Sequence, residues 1–321
     1  MNDFTNPNTL ANTSPFSNWA CSHEYFDTIL QWLLSMIFGL SDPAILLVIG
    51  PTGVGKSTLI HQLCASLAQR LMGELQANPS RLHKVYAEAQ YIPGRGFDWD
   101  DLFESMLRDA GEILIDRKVD PDGPPKRPGR AGLAGAANEM LRRRTPAACI
   151  IDEGAVFLES DSTDSLKRVL NFLKTFGNRS RTHIVIFGDY RLAEMVAFCG
   201  QLNRRCYPMH FPNYGDAYRA PFDKVVRAFE KRLIARGTKA KLVEEADLLF
   251  ANTCGCVGLL KRWVEYAWIG IQGSDRVLDR AVLLSRPVPG GSLVQWRREI
   301  KDGHSRMHAF FAGPDSKPQQ S

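Results

Sequence analysis

The sequence predicts an α/β protein, a parallel sheet with helices on both faces, followed by a smaller all-helical region. Three observations carry that expectation. Short apolar runs recur through the first two-thirds of the chain: AILLVI (44–49), HKVYAEA (83–89), AACIIDE (147–153), HIVIFGDY (183–190) and the shorter YPMHF (207–211). Stretches of helical spacing alternate with them, at about 57–72, 98–115, 132–144 and 163–179, and another at 22–40 leads into the first run. From residue 217 the apolar runs stop, and helical patterns follow at about 219–236, 241–253 and 257–271. Residues 1–21 are rich in Asn, Ser, Thr and Pro and are expected to lack fixed structure. The predicted organisation is a core over 22–212, a helical lid over 213–285 and a tail over 286–321, partner-binding or disordered. DRKVDPDGPPKRPGR (116–130) reads as a loop by its prolines and glycines.

Composition is that of an ordinary soluble globular chain, with 44% apolar and 23% charged residues among 321. The apolar stretch ILQWLLSMIFGL (29–40) is too short to span a bilayer and has no basic segment before it, so neither membrane nor export is expected. Seven cysteines are scattered, several inside apolar runs, and read as small core residues in a reducing cytosol. Cys254 and Cys256 form C-x-C with no second pair, a weak metal signal. The formal charge of +5 is mild, but its distribution is uneven.

After the first apolar run comes GPTGVGKSTLI (50–60), which fills G-x-x-x-x-G-K-[ST] with Gly50, Gly55, Lys56 and Ser57. Strand, glycine-rich loop and helix follow in the order a phosphate-binding loop requires. Residues from Gly50 through Pro51, Thr52, Gly53, Val54 and Gly55 would let backbone N–H groups approach phosphate oxygens, and Lys56, Ser57 and Thr58 would open the helix beneath them. Lys56 would meet the β- and γ-phosphates, and the Ser57 hydroxyl would ligate Mg²⁺. The run CIID ends in Asp152 and is followed by Glu153, the carboxylate pair expected to hold Mg²⁺ (Asp152) and to activate water (Glu153). The reaction implied is hydrolysis of ATP. Asp189, closing the fourth run, would sense the γ-phosphate, although a carboxylate there is repelled unless a cation intervenes. Arg204 and Arg205 precede the fifth run, where a guanidinium would reach a neighbouring subunit's ATP.

These residues together resemble a family. GPTGVGKST, CIIDE, NFLKTFGNRSRTHIVIFGDY with its K-x-x-G-N spacing, QLNRRCYP and CGCVGLLKRWVEYA are similar to AAA+ ATPases, and more narrowly to TniB/TnsC-type regulators of DNA transposition, over about 22–271. The resemblance implies a five-stranded AAA+ P-loop core followed by a small helical lid. It implies an arginine finger at Arg205 or Arg204 and a second sensor at Lys261 or Arg262. It further implies ATP-dependent filaments or rings on duplex DNA, which recruit a transposase and a TniQ-like target selector and disassemble on hydrolysis. Asp189 replaces the small polar residue usual in the family, the 116–130 insertion is longer than usual, and Cys206 stands where an aromatic often follows the finger. The alternative is an AAA+ helicase loader or replication initiator, which shares most of these residues.

For DNA, Lys126, Arg127, Arg130, Arg142, Arg143 and Arg144 cluster against one acid, Glu139. Such a cluster suits sequence-independent phosphate contacts. Arg95, placed by the resemblance on a filament's inner surface, completes the expected DNA-binding set. The expected protein is cytoplasmic, DNA-associated and homo-oligomeric.

Overall fold

A computed structural model of the chain describes residues 14–17, 19–92, 96–112, 130–159, 163–195 and 205–311. The chain divides into two compact units. One comprises Thr28–Gly50, Lys56–Phe211 and Asp302–Ser321, and the other Met1–Asp27, Pro51–Gly55 and Pro212–Lys301.

The first unit holds a five-stranded parallel sheet of β1 (Ile45–Ile49), β2 (Lys84–Glu88), β3 (Ala148–Asp152), β4 (His183–Gly188) and β5 (Cys206–His210), in the order β2-β3-β4-β1-β5. All five coincide with the apolar runs of the sequence. In β1 and β3 every residue is buried, as a sheet covered on both faces demands. Around the sheet come α1 (Glu24–Gly39), α2 (Lys56–Arg70), α3 (Met72–Ala77), α4 (Trp99–Asp109), α5 (Arg130–Arg144) and α6 (Thr163–Ser180). Ile45, Leu47 and Ile49 of β1 share one core with Phe103 and Met106 of α4, Leu141 of α5 and Leu173 of α6. Register then aligns the strand ends. Ile49 pairs with both Gly188 and His210, and Glu88 with Asp152, so the strands stop along one edge.

Several departures from expectation have local causes. Within QYIPGRGF, Tyr91–Ile92 pairs antiparallel with Gly96–Phe97, a ladder too short to show as periodicity; Gly96 takes a φ of +71°. Helix α4 starts where Asp98 accepts a hydrogen bond from Asp100 N–H at 2.8 Å, and it ends at Asp109 rather than near 115. The loop expected at 116–130 lies outside the described residues apart from Arg130, which opens α5. Among the described residues no helix is long and apolar enough to cross a membrane.

The second unit is helical, with α7 (Arg219–Ala235), α8 (Ala246–Thr253), α9 (Val257–Ile269) and α10 (Arg280–Leu284). Phe222, Val226 and Phe229 of α7 pack with Leu260 and Val264 of α9 around Leu278. The N-terminal segment corrects an expectation. Phe16 is fully buried against Trp19 and Phe229, with ring centroids 5.6 and 5.1 Å away, and Arg232 donates to the Pro15 carbonyl at 2.8 Å. Two aromatics thus order a stretch whose average composition reads as unstructured. Within the stretch expected as a tail, partner-binding or disordered, the chain forms α11 (Gly290–Phe311).

Gly255 joins α8 to α9 at a φ of +68°, and a Cβ there would lie 1.9 Å from the Tyr214 carbonyl oxygen. Tyr214 N–H in turn donates to the Gly255 carbonyl at 3.1 Å. Gly255→Ala is therefore expected to lower unfolding stability by about 3 kcal/mol. Urea denaturation measures this, and a loss under about 0.5 kcal/mol would contradict the close approach.

Candidate functional site

At the end of β1 the chain turns through residues that only their neighbours explain. A Cβ on Gly50 would lie 2.2 Å from the Phe211 carbonyl oxygen, while Gly50 N–H donates to Gly188 at 3.2 Å. Gly53 and Gly55 adopt φ of +78° and +120°, conformations that side chains resist. Helix α2 begins at Lys56, whose Nζ donates to the Gly50 carbonyl at 2.9 Å; Ser57 is exposed in its first turn and Thr58 is half-buried. The first turn of a helix offers unpaired N–H groups and the positive end of its dipole, so this arrangement suits an anion. The loop apex, Pro51–Gly55, packs against the start of α9. Leu259 N–H donates to the Gly53 carbonyl at 3.0 Å, and a Cβ on Gly258 would lie 2.5 Å from that oxygen. Of the two sensor candidates on α9, Lys261 is half-buried, and the exposed Arg262 lines a cavity with Trp263, Tyr266 and Arg286.

Asp152 closes β3 and is only 8% exposed. Its Oδ1 accepts the Glu153 N–H at 2.9 Å. Burial pushes its carboxyl above the usual range, opposed by that hydrogen bond and by the Lys56 charge. Glu153 adopts a left-handed backbone, φ +53°, which places its side chain at the surface. Its carboxyl is also raised, first by partial desolvation and then by Asp152, with Lys56 opposing. The next residue has no room for a side chain, since a Cβ on Gly154 would lie 2.2 Å from Ile186 Cγ2. Two raised carboxyls at one strand end form a place that favours a cation. Hydroxyl and carboxylate oxygens, as Ser57 and Asp152 provide, are the donor set Mg²⁺ takes. Among the described residues no three His, Cys, Asp or Glu side chains group as a metal site by themselves.

The repulsion expected at Asp189 is met by a residue that the motifs do not include. Arg191 Nε donates to both Asp189 oxygens at 3.1 and 2.9 Å, and its Nη1 to Glu159 at 2.8 Å. Asp189 is thus a neutralised carboxylate that also accepts the Arg191 N–H at 2.8 Å. The spacing D-x-R is the signal in the sequence that could have found it.

Arg205 donates to Asn178 Oδ1 at 2.6 Å and lies 3.4 Å from Asp42. The structure so joins the G-N of α6 to the arginine before β5, two motifs 27 residues apart. Arg204 lies outside the described residues. Cys206 is disulfide-bonded, a departure from the reduced-cysteine expectation, whereas Cys21, Cys149 and Cys256 are buried thiols as expected.

The basic cluster is less free than its sequence suggests. Arg95, Lys126 and Arg127 lie outside the described residues, and of Arg130 only the backbone is described. Arg142 and Arg143 share Glu139, at 2.8 and 2.5 Å, and hold its carboxyl down at about 2. Arg144 is committed to the chain itself, donating to the carbonyls of Ser80 and Ala110 and to Glu112.

Known proteins share this layout. Residues 40–196, a little under half of the chain, match the family model described as an AAA domain. The fold is similar to that of the Aeropyrum pernix ORC2 protein in its ADPNP–ADP complexes, with a TM-score of 0.50 and 15% identity over 87% of this chain. Cdc6p from Pyrobaculum aerophilum matches with TM-score 0.48 and 15% identity over 80% of this chain. This chain spans 66% and 65% of those two proteins, under two-thirds of each. Domain III of the Thermotoga maritima replication initiation protein DnaA matches with TM-score 0.49 and 13% identity, over 85% of this chain and 97% of that one. No curated protein matches the sequence. Residues 40–196 thus resemble an AAA domain.

Proposed function

We propose that this protein is a Mg²⁺-dependent ATPase of the TniB/TnsC type, a regulator of DNA transposition. In this reading residues 22–212 form the ATPase core and 213–285 the lid. The chain assembles on duplex DNA as a filament or ring, links a TniQ-like target selector to a transposase, and leaves the DNA when ATP is hydrolysed. It works in the cytoplasm on DNA. The observation that carries the reading is the bond between Arg205 and Asn178. It joins the two motifs that set the resemblance apart from P-loop proteins in general.

The chemistry falls to this chain's own residues. Lys56 and the loop N–H groups hold the phosphates, and Lys56 offsets charge toward the β–γ bridge. Ser57 and Asp152 would hold Mg²⁺, which supplies charge neutralisation at the γ-phosphate when bound. Glu153 takes a proton from the attacking water; its raised carboxyl makes it a better base than an ordinary glutamate. Asp189, paired with Arg191, orients rather than repels. Arg205 or Arg204 serves a neighbouring copy's ATP, and Lys261 or Arg262 the chain's own. Arg95, Lys126, Arg127, Arg130 and Arg142–Arg144 are the proposed DNA-binding residues. Arg142 and Arg143 remain able to exchange Glu139 for phosphate, since both are exposed.

Electron microscopy of the protein with duplex DNA should show filaments or rings with a non-hydrolysable ATP analogue and none without nucleotide. A chain that stays monomeric in both conditions rules the proposal out, and nucleotide-dependent filaments separate it from P-loop kinases.

Two substitutions test the carboxylates. Glu153→Gln should bind ATP as the parent does and turn it over at least about 100-fold more slowly, as measured by phosphate release. Normal turnover would remove Glu153 as the base. Asp152 carries a raised carboxyl, so its ionisation weakens the fold without metal at every pH above the ordinary aspartate value near 4. Asp152→Asn should therefore melt higher than the parent at pH 7 without Mg²⁺, with the gain vanishing as the pH falls below about 4, while hydrolysis is lost. A lower melting temperature at pH 7 would show that the buried charge is compensated.

A further inference from the structure

Helix α11 lies outside the segment that matches the AAA domain, yet one of its carboxylates touches the nucleotide loop. Glu299 Oε1 accepts from Thr52 N–H at 3.0 Å and from the Thr52 hydroxyl at 3.2 Å, across 247 residues of sequence. From this contact we infer that Glu299 is a positioning residue of the loop, so that nucleotide affinity depends on the seating of the C-terminal helix. The inference rests on the loop being the ATP site.

The rest of the apex is fixed by backbone bonds. Val54 N–H donates to Pro51 at 3.3 Å, and Leu259 N–H to Gly53 at 3.0 Å. Thr52 stands between those two braced residues and is exposed, so no packing holds it. Glu299 supplies what packing does not. A charged acceptor makes a stronger bond than a neutral one, and a single oxygen here fixes both the backbone and the side chain of Thr52. Two residues before Glu299, Arg297 donates to the Ala251 carbonyl at 3.1 Å and keeps the helix in place. A loop set in its binding shape before nucleotide arrives loses less freedom on binding and so binds more tightly. Coupling of this kind is reciprocal: nucleotide steadies α11, and a partner that lifts α11 loosens nucleotide.

Charge works against position at this site. A carboxylate near an anion-binding loop repels phosphate, and the two effects predict opposite outcomes. Binding of ADP and of a non-hydrolysable ATP analogue, followed by calorimetry, separates them. Glu299→Ala should weaken both nucleotides about tenfold and raise KM with kcat nearly unchanged. Glu299→Gln, which keeps the acceptor and drops the charge, should stay within about threefold of the parent. Unchanged affinity in Glu299→Ala overturns the inference, and so does tighter binding in both variants, which would make repulsion the governing effect. If Glu299→Ala folds poorly, Thr52→Val removes only the hydroxyl bond and should show a smaller loss in the same direction; no loss there overturns the inference too. Lys56→Ala is the separate control. Nucleotide bound normally by that variant would defeat the assignment of the loop itself, whatever Glu299 does.

Discussion

Strand β1 is hydrogen-bonded to β4 on one side and β5 on the other, with Ile49 level with both Gly188 and His210, and that register places every group with chemistry to do. Because β3 pairs with β4 in step, Asp152 ends at the same edge. Gly50, Asp152, Glu153 and Asp189 each follow immediately on, or close, a strand that stops there. Ligands of open parallel sheets bind beyond the carboxyl ends of the strands, and the reason is visible in these residues. Buried strands cannot spare polar side chains, so the first polar positions are those just past the last ladder bond. A slip of one residue in β1 would turn its fully apolar face pattern over and move Gly50 away from Phe211, the one neighbour whose carbonyl makes a glycine obligatory.

Much of this is legible in the amino-acid sequence. Continuous apolar runs mark strands buried on both faces, and the glycine-rich loop between run and helix has few other uses. The features that are not legible have physical reasons for it. Gly290, Gly291 and Gly303 make 290–311 look unlike a helix, since each glycine costs about 1 kcal/mol there. Gly303 is nonetheless required, because a Cβ would lie 2.1 Å from the Tyr190 ring. The ordering of 14–17 and 19–21 depends on two aromatics whose partner, Phe229, is some two hundred residues away. Glu299 and Thr52 share no local pattern at all. Contacts closed over such separations leave no periodicity to find.

Charge shows the opposite error, where sequence promises more than the fold delivers. Three consecutive arginines look like a free cationic patch. In the structure two of them bind one glutamate and the third braces the backbone of residues 80 and 110. Asp189 looks like a liability beside phosphate, and Arg191 two residues on cancels it. In both cases a decisive partner lies within five residues, so the information is present. It concerns side-chain direction on a helix or turn, which composition does not register.

The burial of Phe16 bears on how the chain tolerates shortening. Its ring, with Trp19, roofs Phe229 in the middle of α7. A version beginning after residue 20 would leave that roof off, presenting a greasy aromatic patch to solvent on a surface otherwise dotted with lysine and arginine, and inviting copies to stick together by a route unrelated to nucleotide.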